Sequence, residues 1–560
     1  MISAKLPVLL FFAAVAVLAT PLPPNPTTGD VNVLVELALT AANDYPVPLV
    51  DVNVSCDFTL DASGRVLSRG AFFDGGGVFR LRFAPPSAGT WRWRTSSSVT
   101  NDTGLHGVTG AIVVAPYAGA NPLYAHGFMR VSADGRRLEF GDGAPFRWLG
   151  DTRWMSADLE LGRPCNAPAN ASCGAGPNAI FDLIAADRSA KNFTVFQTYF
   201  HGDQLLWWED PGVWSRINVT SFQTRLDPLL DALAARGTLA ALGVGLHEMS
   251  VAMPADALTR LGAYTAARYG AHPLVWITAQ EVNAPNANAS AWAIVAEQLF
   301  YGSQQQPLTA HMWVGPNSSA PFAPVFEYAD KPWHAFFATQ GGHTGMGIRT
   351  KAHYQAYWDF RSPLTGAPVP FLEAEAMYEN IICGPRFAFA NDTRIAAWKA
   401  SLCGSLGFTY GAAAIWLFKY SLADQTGEAY NPNTWWWPNV MLPGSTQVGL
   451  MSTWLAGVWR DRLAEVTPRF SDPAWSNFTD DEATVLATVA DEIFVVYAYG
   501  AGTALGELRG LAQATYAGAW LDTRTGASVP LAPFQPDSAG AWTMAAKPSA
   551  DDWALVVERQ

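Results

Sequence analysis

Eight compact apolar runs between residues 125 and 460 constrain the fold of this chain more than any other feature. They occupy residues 146–150, 194–199, 239–244, 274–278, 308–313, 334–338, 369–372 and 413–417. Strands of a parallel sheet covered by helices have this near-continuous apolar character, because both of their faces are buried. Apolar residues at helical spacing lie between the runs, for example at 226–236 and 255–269. Eight strands alternating with helices predict a (β/α)8 TIM barrel, although Pro370 inside the seventh run is unfavourable for a strand.

The regions on either side of the barrel have a different pattern of short alternating runs and turn residues. This pattern covers residues 30–118 and 465–560, and it is typical of β-sandwiches. The chain of 560 residues is also too long for one hydrophobic core. The predicted fold class is therefore multidomain α/β plus β. An Ig-like N-terminal sandwich (30–118) precedes the TIM barrel (125–460), and a C-terminal β-sandwich (465–560) follows it.

The N-terminal segment has the composition of a secretory signal peptide. Lys5 precedes an apolar run over residues 6–18, and small residues at 17–19 resemble a cleavage site. The run is short for a membrane span, so an uncleaved anchor is the alternative. We predict a signal peptide over residues 1–19, a secreted protein, and no membrane association after cleavage.

Cysteines and glycosylation sequons agree with an oxidising, extracellular location. Among the five cysteines, Cys165 with Cys173 and Cys383 with Cys403 are the predicted disulfides, which leaves Cys56 free; other pairings remain open. Asn-x-Ser/Thr sequons begin at Asn53, Asn101, Asn170, Asn192, Asn218, Asn288, Asn317, Asn391 and Asn477. Asn192 falls in a predicted buried strand, so we expect it to be unmodified.

Charge and aromatic content restrict the class of partner. The chain has 35 basic and 48 acidic residues and a net charge of −13, which disfavours nucleic acid and anionic membranes as partners. Its 23 Trp and 17 Tyr can stack on sugar rings or fill large cores. The sequence does not specify an oligomeric state.

Two glutamates follow predicted strands on opposite sides of the barrel, where barrel enzymes place their active sites. Glu281 follows the fourth strand and Glu375 ends the seventh. Retaining glycosidases use two carboxyl groups about 5–5.5 Å apart, one as acid/base and one as nucleophile. We predict Glu281 as the acid/base and Glu375 as the nucleophile. Glu373 and Glu379 are rival nucleophiles, because alternation along a strand places Glu373 on the same face as Glu375.

Further polar and aromatic residues after the strands are candidates for substrate binding. They are Asp151, Trp154, Tyr199, His247, Asn283, His311 and Trp416. Each also has a structural interpretation: Asp151 as a cap for the following segment, and each histidine as a satisfied structural residue. For His247 and His311, tuning of the two acids is a further alternative to substrate contact.

The sequence lacks the motifs of several other enzyme classes. His247-Glu248 is not followed by a second histidine at the zinc-protease spacing, and there is no G-x-S-x-G elbow or P-loop lysine. We therefore predict no metal and no nucleotide cofactor, and a protease is disfavoured.

Several segments, in order, resemble the apiosidase-like glycoside hydrolase barrel. They are residues 126–131, 146–154, 268–276 leading to Glu281, and 375–379. Residues 73–75 and 89–91 resemble the domain that often precedes this barrel. Residues 520–526 and 552–553 resemble a module whose name refers to collagen binding and which often follows it.

The resemblance implies a TIM-barrel hydrolase with its acid/base after the fourth strand and its nucleophile after the seventh. Two departures concern the substrate and not the reaction class: Gln280 stands where the wider clan has Asn, and Glu281 stands where apiosidases are expected to have Asp. The predicted function is a secreted, retaining glycoside hydrolase acting on plant or algal polysaccharide. The alternative is a catalytically inactive carbohydrate-binding or adhesion protein on the same scaffold.

Overall fold

A computed structural model describes most of the chain. The described residues are 22–168, 173–174, 176, 178–200, 207–246, 252–284, 287–303, 306–313, 328–341, 349–383, 386–424, 431, 433–460 and 462–560. The predicted signal peptide, His247, Asn170 and Asn317 lie outside the described residues.

The centre of the molecule is a parallel barrel, as predicted. Its strands are Trp148–Thr152, Val195–Tyr199, Leu239–Leu246, Leu274–Gln280, Leu308–Thr309 with His311–Met312, Phe337–Gln340, Phe371–Glu375 and Gly407–Tyr410. Leu308–Thr309 pairs with the fourth strand and His311–Met312 with the sixth. Only Ala310 separates these two segments, so the sheet nearly closes on itself. Side chains such as Val275 and Ala338 fill the barrel interior.

Helices cover the outside of the barrel. The longer ones are Ala179–Ala190, Asp227–Ala235, Ala255–Tyr269, Ala289–Gly302, Lys351–Asp359, Ala390–Leu402 and Pro443–Trp459. Shorter helical segments are Pro48–Asp51, Pro122–Ala125, Ser156–Glu160, Val219–Ser221, Phe222–Leu226, Ala413–Trp416, Trp436–Val440 and Leu463–Glu465. Leu258 and Leu261 on Ala255–Tyr269 are buried because they lie on the apolar face that packs inward.

The eighth strand differs from its predicted position. It is Gly407–Tyr410, whereas residues Ala413–Trp416 form a single helical turn. Gly407 pairs with Trp148, and a Cβ atom at Gly407 would come within 2.3 Å of the Trp148 carbonyl oxygen. Glycine marks a close backbone approach here, and such a residue does not contribute to an apolar run. Pro370 immediately precedes the seventh strand, so it costs that strand no hydrogen bond.

Two facing sheets form the N-terminal region. A five-stranded sheet contains Thr28–Asp30, Thr109–Ala115, Gly89–Ser97, Val54–Leu60 and Val66–Gly70 in spatial order. A three-stranded sheet contains Val35–Thr40, Val78–Phe83 and Phe72–Phe73. Buried and exposed residues alternate along Gly89–Ser97, as expected for a strand with one face in the core. Phe58 and Phe83 stack between the sheets, with ring centroids 4.1 Å apart.

The C-terminal region is also built from antiparallel sheets. The six-stranded sheet is Val466–Pro468, Thr484–Val489, Ile493–Ala498, Trp553–Arg559, Tyr516–Asp522 and Ser528–Pro530, and the three-stranded sheet is Ser476–Phe478, Gly506–Leu508 and Trp542–Thr543. Two small ribbons, Arg130–Val131 with Leu138–Glu139 and Ile382–Cys383 with Arg386–Phe387, complete the strands. Arg394 of the barrel forms a two-pronged ion pair with Asp552, with distances of 2.7 and 2.5 Å. The fold is therefore a central barrel with a sheet domain at each end.

The cysteines follow the predictions in part. Cys165 and Cys173 form a disulfide with an S–S distance of 2.00 Å, and Cys56 is a buried free thiol, as predicted. The predicted partnership of Cys383 with Cys403 is wrong, because Cys403 is also a buried free thiol. It lies at the end of Ala390–Leu402, among apolar residues.

Two further features concern the surface. Asn192 lies in an exposed turn with φ 61° before the strand Val195–Tyr199, so its predicted burial in a strand is wrong. No helix among the described residues is both long enough and apolar enough to cross a membrane.

Candidate active site

Glu375 ends the seventh strand and is buried at the mouth of the barrel, where several donors surround its carboxylate. Gln280 Nε2 donates to Oε2 over 3.2 Å, and Gln340 Nε2 donates to Oε1 over 3.1 Å. His311 Nε2 lies 3.0 Å from Oε2. The Tyr378 hydroxyl also hydrogen-bonds to this carboxylate; burial, reinforced by the charge of Glu375 and this hydrogen bond, raises the pKa of Tyr378 well above its ordinary value. Donors of this kind stabilise the ionised carboxylate.

Glu281 immediately follows the fourth strand and has left-handed backbone geometry, with φ 53°. Such a conformation is uncommon for a residue with a side chain, and it is found where the surrounding structure holds it. The backbone N–H of Glu281 donates to Nδ1 of His311 over 3.4 Å. The two ring nitrogens of His311 therefore have different neighbours: Nδ1 accepts from the Glu281 backbone, and Nε2 lies 3.0 Å from the Glu375 carboxylate.

Gln340 connects the two glutamates directly. Its Nε2 donates to Oε1 of Glu281 over 3.0 Å and to Oε1 of Glu375 over 3.1 Å. These two oxygens therefore lie at most about 6 Å apart, the sum of the two hydrogen-bond lengths. The backbone carbonyl of Gln340 accepts from Arg349 over 2.5 Å. The two predicted catalytic residues are thus brought together across the barrel mouth.

Aromatic residues pack beside the carboxylates. Trp154 stacks at a tilt on Tyr199, with centroids 5.1 Å apart, and meets His311 edge-on at 5.4 Å. Its indole N–H donates to the Tyr378 hydroxyl over 3.1 Å, and Tyr378 packs against Trp416 at 5.8 Å. Trp154, Tyr199 and His311 are almost fully buried, whereas Trp416 is partly exposed. The first three therefore pack beneath the carboxylates, and Trp416 is the partly exposed member of this group.

Glu373 does not share a face with Glu375, so the inference from strand alternation is wrong. The register between the sixth and seventh strands shifts, with Thr339 opposite Glu373 and Gln340 opposite Glu375. This β-bulge leaves Ala374 without a register partner on the sixth strand and changes the direction of the following residue. Glu373 lies on the outer wall of the barrel, accepts from the Tyr354 hydroxyl over 2.9 Å and lies 3.5 Å from Nε of Arg349.

Glu379 is likewise buried apart from the pair. It accepts from the Tyr410 hydroxyl over 2.8 Å and from the backbone N–H of Gly444 over 2.9 Å. Burial raises its pKa above the ordinary value, against the opposing effect of these donors. Its contacts tie the loop after the seventh strand to the start of helix Pro443–Trp459.

Asp151 belongs to the outer wall and does not reach the mouth. It is 1% exposed, and its carboxylate lies 3.1 Å from Nε of Arg188 on helix Ala179–Ala190. Burial raises the pKa of Asp151, while Arg188 and Arg153 oppose that shift. Trp148 fills the barrel interior. Asp151 is three positions further along the same strand, so its side chain points to the opposite, outer face. The predicted sugar-binding role of Asp151 is therefore wrong.

Asn283 braces two loops at the mouth. Its side chain donates to the carbonyl of Trp313 over 2.7 Å and accepts from the Trp313 N–H over 2.6 Å. It therefore holds the segment after Glu281 against the segment after the fifth strand. His247, the remaining predicted substrate contact, lies outside the described residues.

Comparison with protein-family models shows the family of this chain. The family model described as "Apiosidase-like, catalytic domain" matches residues 132–459, more than half of the chain. The chain belongs to the apiosidase-like family. This apiosidase-like protein is accordingly a glycoside hydrolase. A domain of unknown function, DUF5060, matches residues 33–98 within the N-terminal sheets.

Solved structures share the fold of this apiosidase-like protein. One described as a glycoside hydrolase is 19% identical with a TM-score of 0.63, covering 79% of this chain and 99% of its own. A family 5 glycoside hydrolase from Bacteroides vulgatus is 18% identical with a TM-score of 0.62, covering 79% and 94%. A second B. vulgatus protein, described as a candidate glycoside hydrolase, is 14% identical with a TM-score of 0.70, covering 95% and 100%. No curated protein matches the chain.

Three residues of the apiosidase-like site were not selected from the sequence. Gln340 ends the sixth strand, and Gln280 enters the sequence analysis only as a departure from the clan. Tyr378 lies three residues beyond Glu375, within the matching segment 375–379. Position at a strand end was the available signal for Gln340; its contact with both acids depends on the bulge, which the sequence pattern does not reveal.

Proposed function

We propose that this apiosidase-like protein is a secreted, retaining glycosidase that cleaves O-glycosidic bonds in plant or algal polysaccharide. Glu375 is the nucleophile and Glu281 is the acid/base. The observation that carries this proposal is the single amide nitrogen of Gln340 donating to both carboxylates. An amide nitrogen has two hydrogens, so it can hold two acceptors at once without competition.

The stereochemical outcome follows from the spacing of the carboxyl groups. The two N–H bonds of one amide diverge by about 120°, which places their acceptors about 5 Å apart at these bond lengths. Retaining enzymes need carboxyl groups about 5–5.5 Å apart, whereas inverting enzymes need about 6.5–9.5 Å to admit a water molecule. The Gln340 bridge therefore supports retention.

In the first step, Glu281 protonates the oxygen of the departing sugar while Glu375 attacks the anomeric carbon. The glycosidic C–O bond breaks, and an ester bond forms between Glu375 and the sugar. Gln280, Tyr378 and His311 orient the attacking carboxylate through their contacts with its oxygens. Gln280 and Tyr378 are neutral donors, so they position the carboxylate without a full counter-charge.

In the second step, ionised Glu281 removes a proton from water, and the resulting oxygen attacks the anomeric carbon. The ester bond breaks, and Glu375 regains its electron pair. Two inversions at one carbon give net retention. His311 couples the two residues, because its Nδ1 accepts from Glu281 while its Nε2 faces Glu375.

The predicted signal peptide, the sequons and the Cys165–Cys173 disulfide support secretion, since disulfides persist in oxidising compartments. The substrate class rests on the family resemblance.

The test is hydrolysis of a panel of aryl glycosides and of plant and algal polysaccharides. We expect the native chain to release sugar from at least one member, Glu375→Gln to release none, and Glu558→Gln, a remote and partly exposed control, to match the native chain. Binding of oligosaccharide without hydrolysis across the panel would favour the inactive binding protein. Retained activity in Glu375→Gln would contradict the assignment of the nucleophile.

A further inference from the structure

A cavity of about 650 Å³ lies where the N-terminal sheets meet the barrel, away from the active site. The edge strand Val66–Gly70 supplies one wall, and the end of helix Ala289–Gly302 supplies another. This helix runs antiparallel to the strand Leu274–Gln280 that precedes it, so its C-terminal end lies at the base of the barrel. The cavity is therefore at the end opposite to the two catalytic glutamates.

The cavity carries excess positive charge on a chain whose net charge is −13. Arg65 and Arg69 both line it. Neither forms an ion pair within the described part of the chain, and each repels the other. The one acidic residue among the described lining residues, Asp142, lies 2.7 Å from His126, so this carboxylate is already engaged.

The Arg69 guanidinium leaves part of its hydrogen-bonding capacity unused. Its Nη1 donates to the carbonyl of Ser68 over 2.7 Å, whereas its Nε is buried and has no hydrogen-bond partner. Burial, with the smaller effect of Arg65, lowers the pKa of Arg69 to about 10. An unpaired buried donor costs free energy that an anion would recover. A planar guanidinium also matches carboxylate and sulfate groups.

Aromatic side chains adjoin these arginines. Tyr301 is 73% exposed, an unusual degree for a large aromatic residue, and Phe300 packs edge-on against it with centroids 5.1 Å apart. Sugar rings have apolar faces that stack on such rings, while the tyrosine hydroxyl stays in water. The volume lies within the range of about 300–1,000 Å³ typical of small-molecule sites, and a single inorganic anion would fill little of it.

We propose that this cavity is a second saccharide site that binds an acidic oligosaccharide. A carboxylate or sulfate group of the ligand pairs with Arg65 and Arg69, and one of its sugar rings stacks on Tyr301. The site is non-catalytic. It retains the enzyme on anionic glycan through the face opposite to the mouth, and it operates whether or not the proposed hydrolysis occurs.

The test is calorimetric titration of the full-length protein with three trisaccharides: trigalacturonate, a sulfated galactose trisaccharide and neutral trigalactose. We expect one or both acidic probes to bind, the neutral probe to bind at least tenfold more weakly, and affinity to fall with added salt. The better acidic probe identifies the anionic group. Arg65→Gln combined with Arg69→Gln is expected to weaken binding at least tenfold.

Two further variants keep the test decisive if replacing the half-buried Arg69 impairs folding. Tyr301→Ala alters an exposed side chain and is expected to weaken binding severalfold. Arg92→Gln, on the same domain but paired with Asp61 outside the cavity, is the matched control and should bind normally. Unchanged affinity in Tyr301→Ala and Arg65→Gln, equal binding of the neutral probe, or equal binding of inorganic phosphate would overturn the proposal. Hydrolysis of aryl glycosides is a separate readout, so failure of either proposal leaves the other measurable.

Discussion

Glu373 and Glu375 lie two residues apart on one strand but belong to two regions of the barrel with different electrostatics. On the outer wall, Glu373 faces Arg349 and Asp151 faces Arg188. At the mouth, Glu375 has amide and hydroxyl donors around it, and the His311 imidazole lies 3.0 Å away. An adjacent guanidinium stabilises a carboxylate and holds elements together, whereas neutral donors orient it and leave its charge available for reaction. The two glutamates of this one strand therefore differ in the partners that hold them, and we propose that this difference separates the structural Glu373 from the catalytic Glu375.

The largest expected effect comes from removing the nucleophile at the mouth. Glu375→Gln keeps shape and hydrogen-bonding capacity but cannot form the glycosyl ester, so we expect kcat to fall by about 10⁴-fold, or about 5 kcal/mol. Glu379→Gln, a buried acid away from the pair, is the control and should retain most activity. Steady-state kinetics with circular dichroism as a folding check measures this difference.

Loss of the acid/base should depend on the leaving group. Glu281→Gln is expected to reduce hydrolysis of unactivated glycosides by about 10³-fold, because the departing oxygen needs a proton. Aryl glycosides with acidic phenols need less assistance, so their first step should be nearly normal. An equal loss for both types of substrate would contradict the acid/base role.

On the outer wall, the effect should appear in stability and not in turnover. Asp151→Asn removes one of the two carboxylates beside buried Arg188, the other being Asp187 at 2.5 Å, and we expect the free energy of unfolding to fall by about 2 kcal/mol. Asp61→Asn breaks an exposed pair with Arg92 and should cost less than about 1 kcal/mol. Denaturant titration gives both values, and a near-normal kcat for folded Asp151→Asn separates this acid from those at the mouth.

Acid titration tests another carboxylate that is paired with arginine, Asp227, at the junction of the barrel with the N-terminal sheets. Arg268 and Arg82 lower the pKa of Asp227 to about 2 against the effect of burial. Because the pKa of Asp227 is lower in the folded chain than in the unfolded chain, ionised Asp227 stabilises the folded state by about 2 kcal/mol at pH values above the unfolded pKa, which is near 4. This stabilisation is lost as the pH falls toward 2. Unfolding measured between pH 5 and 2.5 should therefore be less pH-dependent in Asp227→Asn. Identical slopes would show that Asp227 does not contribute.

The smallest effect concerns Gln340, a positioning residue. Gln340→Leu removes both hydrogen bonds of the bridge, and we expect kcat to fall about tenfold, about 1.4 kcal/mol, with little change in KM. The pH–rate profile should also move, because both carboxylates lose a donor. A lowered melting temperature with unchanged kcat and pH profile would show a purely structural role.

Much of this comparison was predictable from sequence, and the remainder has identifiable physical causes. Apolar runs predicted seven of the barrel strands near their observed positions, and helical spacing predicted Ala255–Tyr269 with its observed bounds. The apolar pattern does not predict the eighth strand, because its first residue, Gly407, allows a close backbone approach to Trp148 and adds no apolar side chain.

The candidate site was likewise only partly predictable from the sequence. Strand ends indicated Glu281 and Glu375, since the topology of a parallel barrel brings such positions together. Alternation could not separate Glu373 from Glu375, because a one-residue bulge reverses the outcome and depends on pairing between distant strands. Asp151 was misassigned for a related reason: two adjacent strand residues point to opposite faces, and only helix packing reveals which one meets Arg188.

The most direct test of the central claim is the anomeric configuration of the products when azide rescues small-side-chain variants. In Glu375→Gly, azide should enter the vacated space and attack the activated glycoside once, giving the inverted glycosyl azide by proton NMR. In Glu281→Gly, azide should attack the glycosyl ester on Glu375 and give the retained product. Retained azide from Glu375→Gly, or inverted azide from Glu281→Gly, would contradict the assignment of the two glutamates.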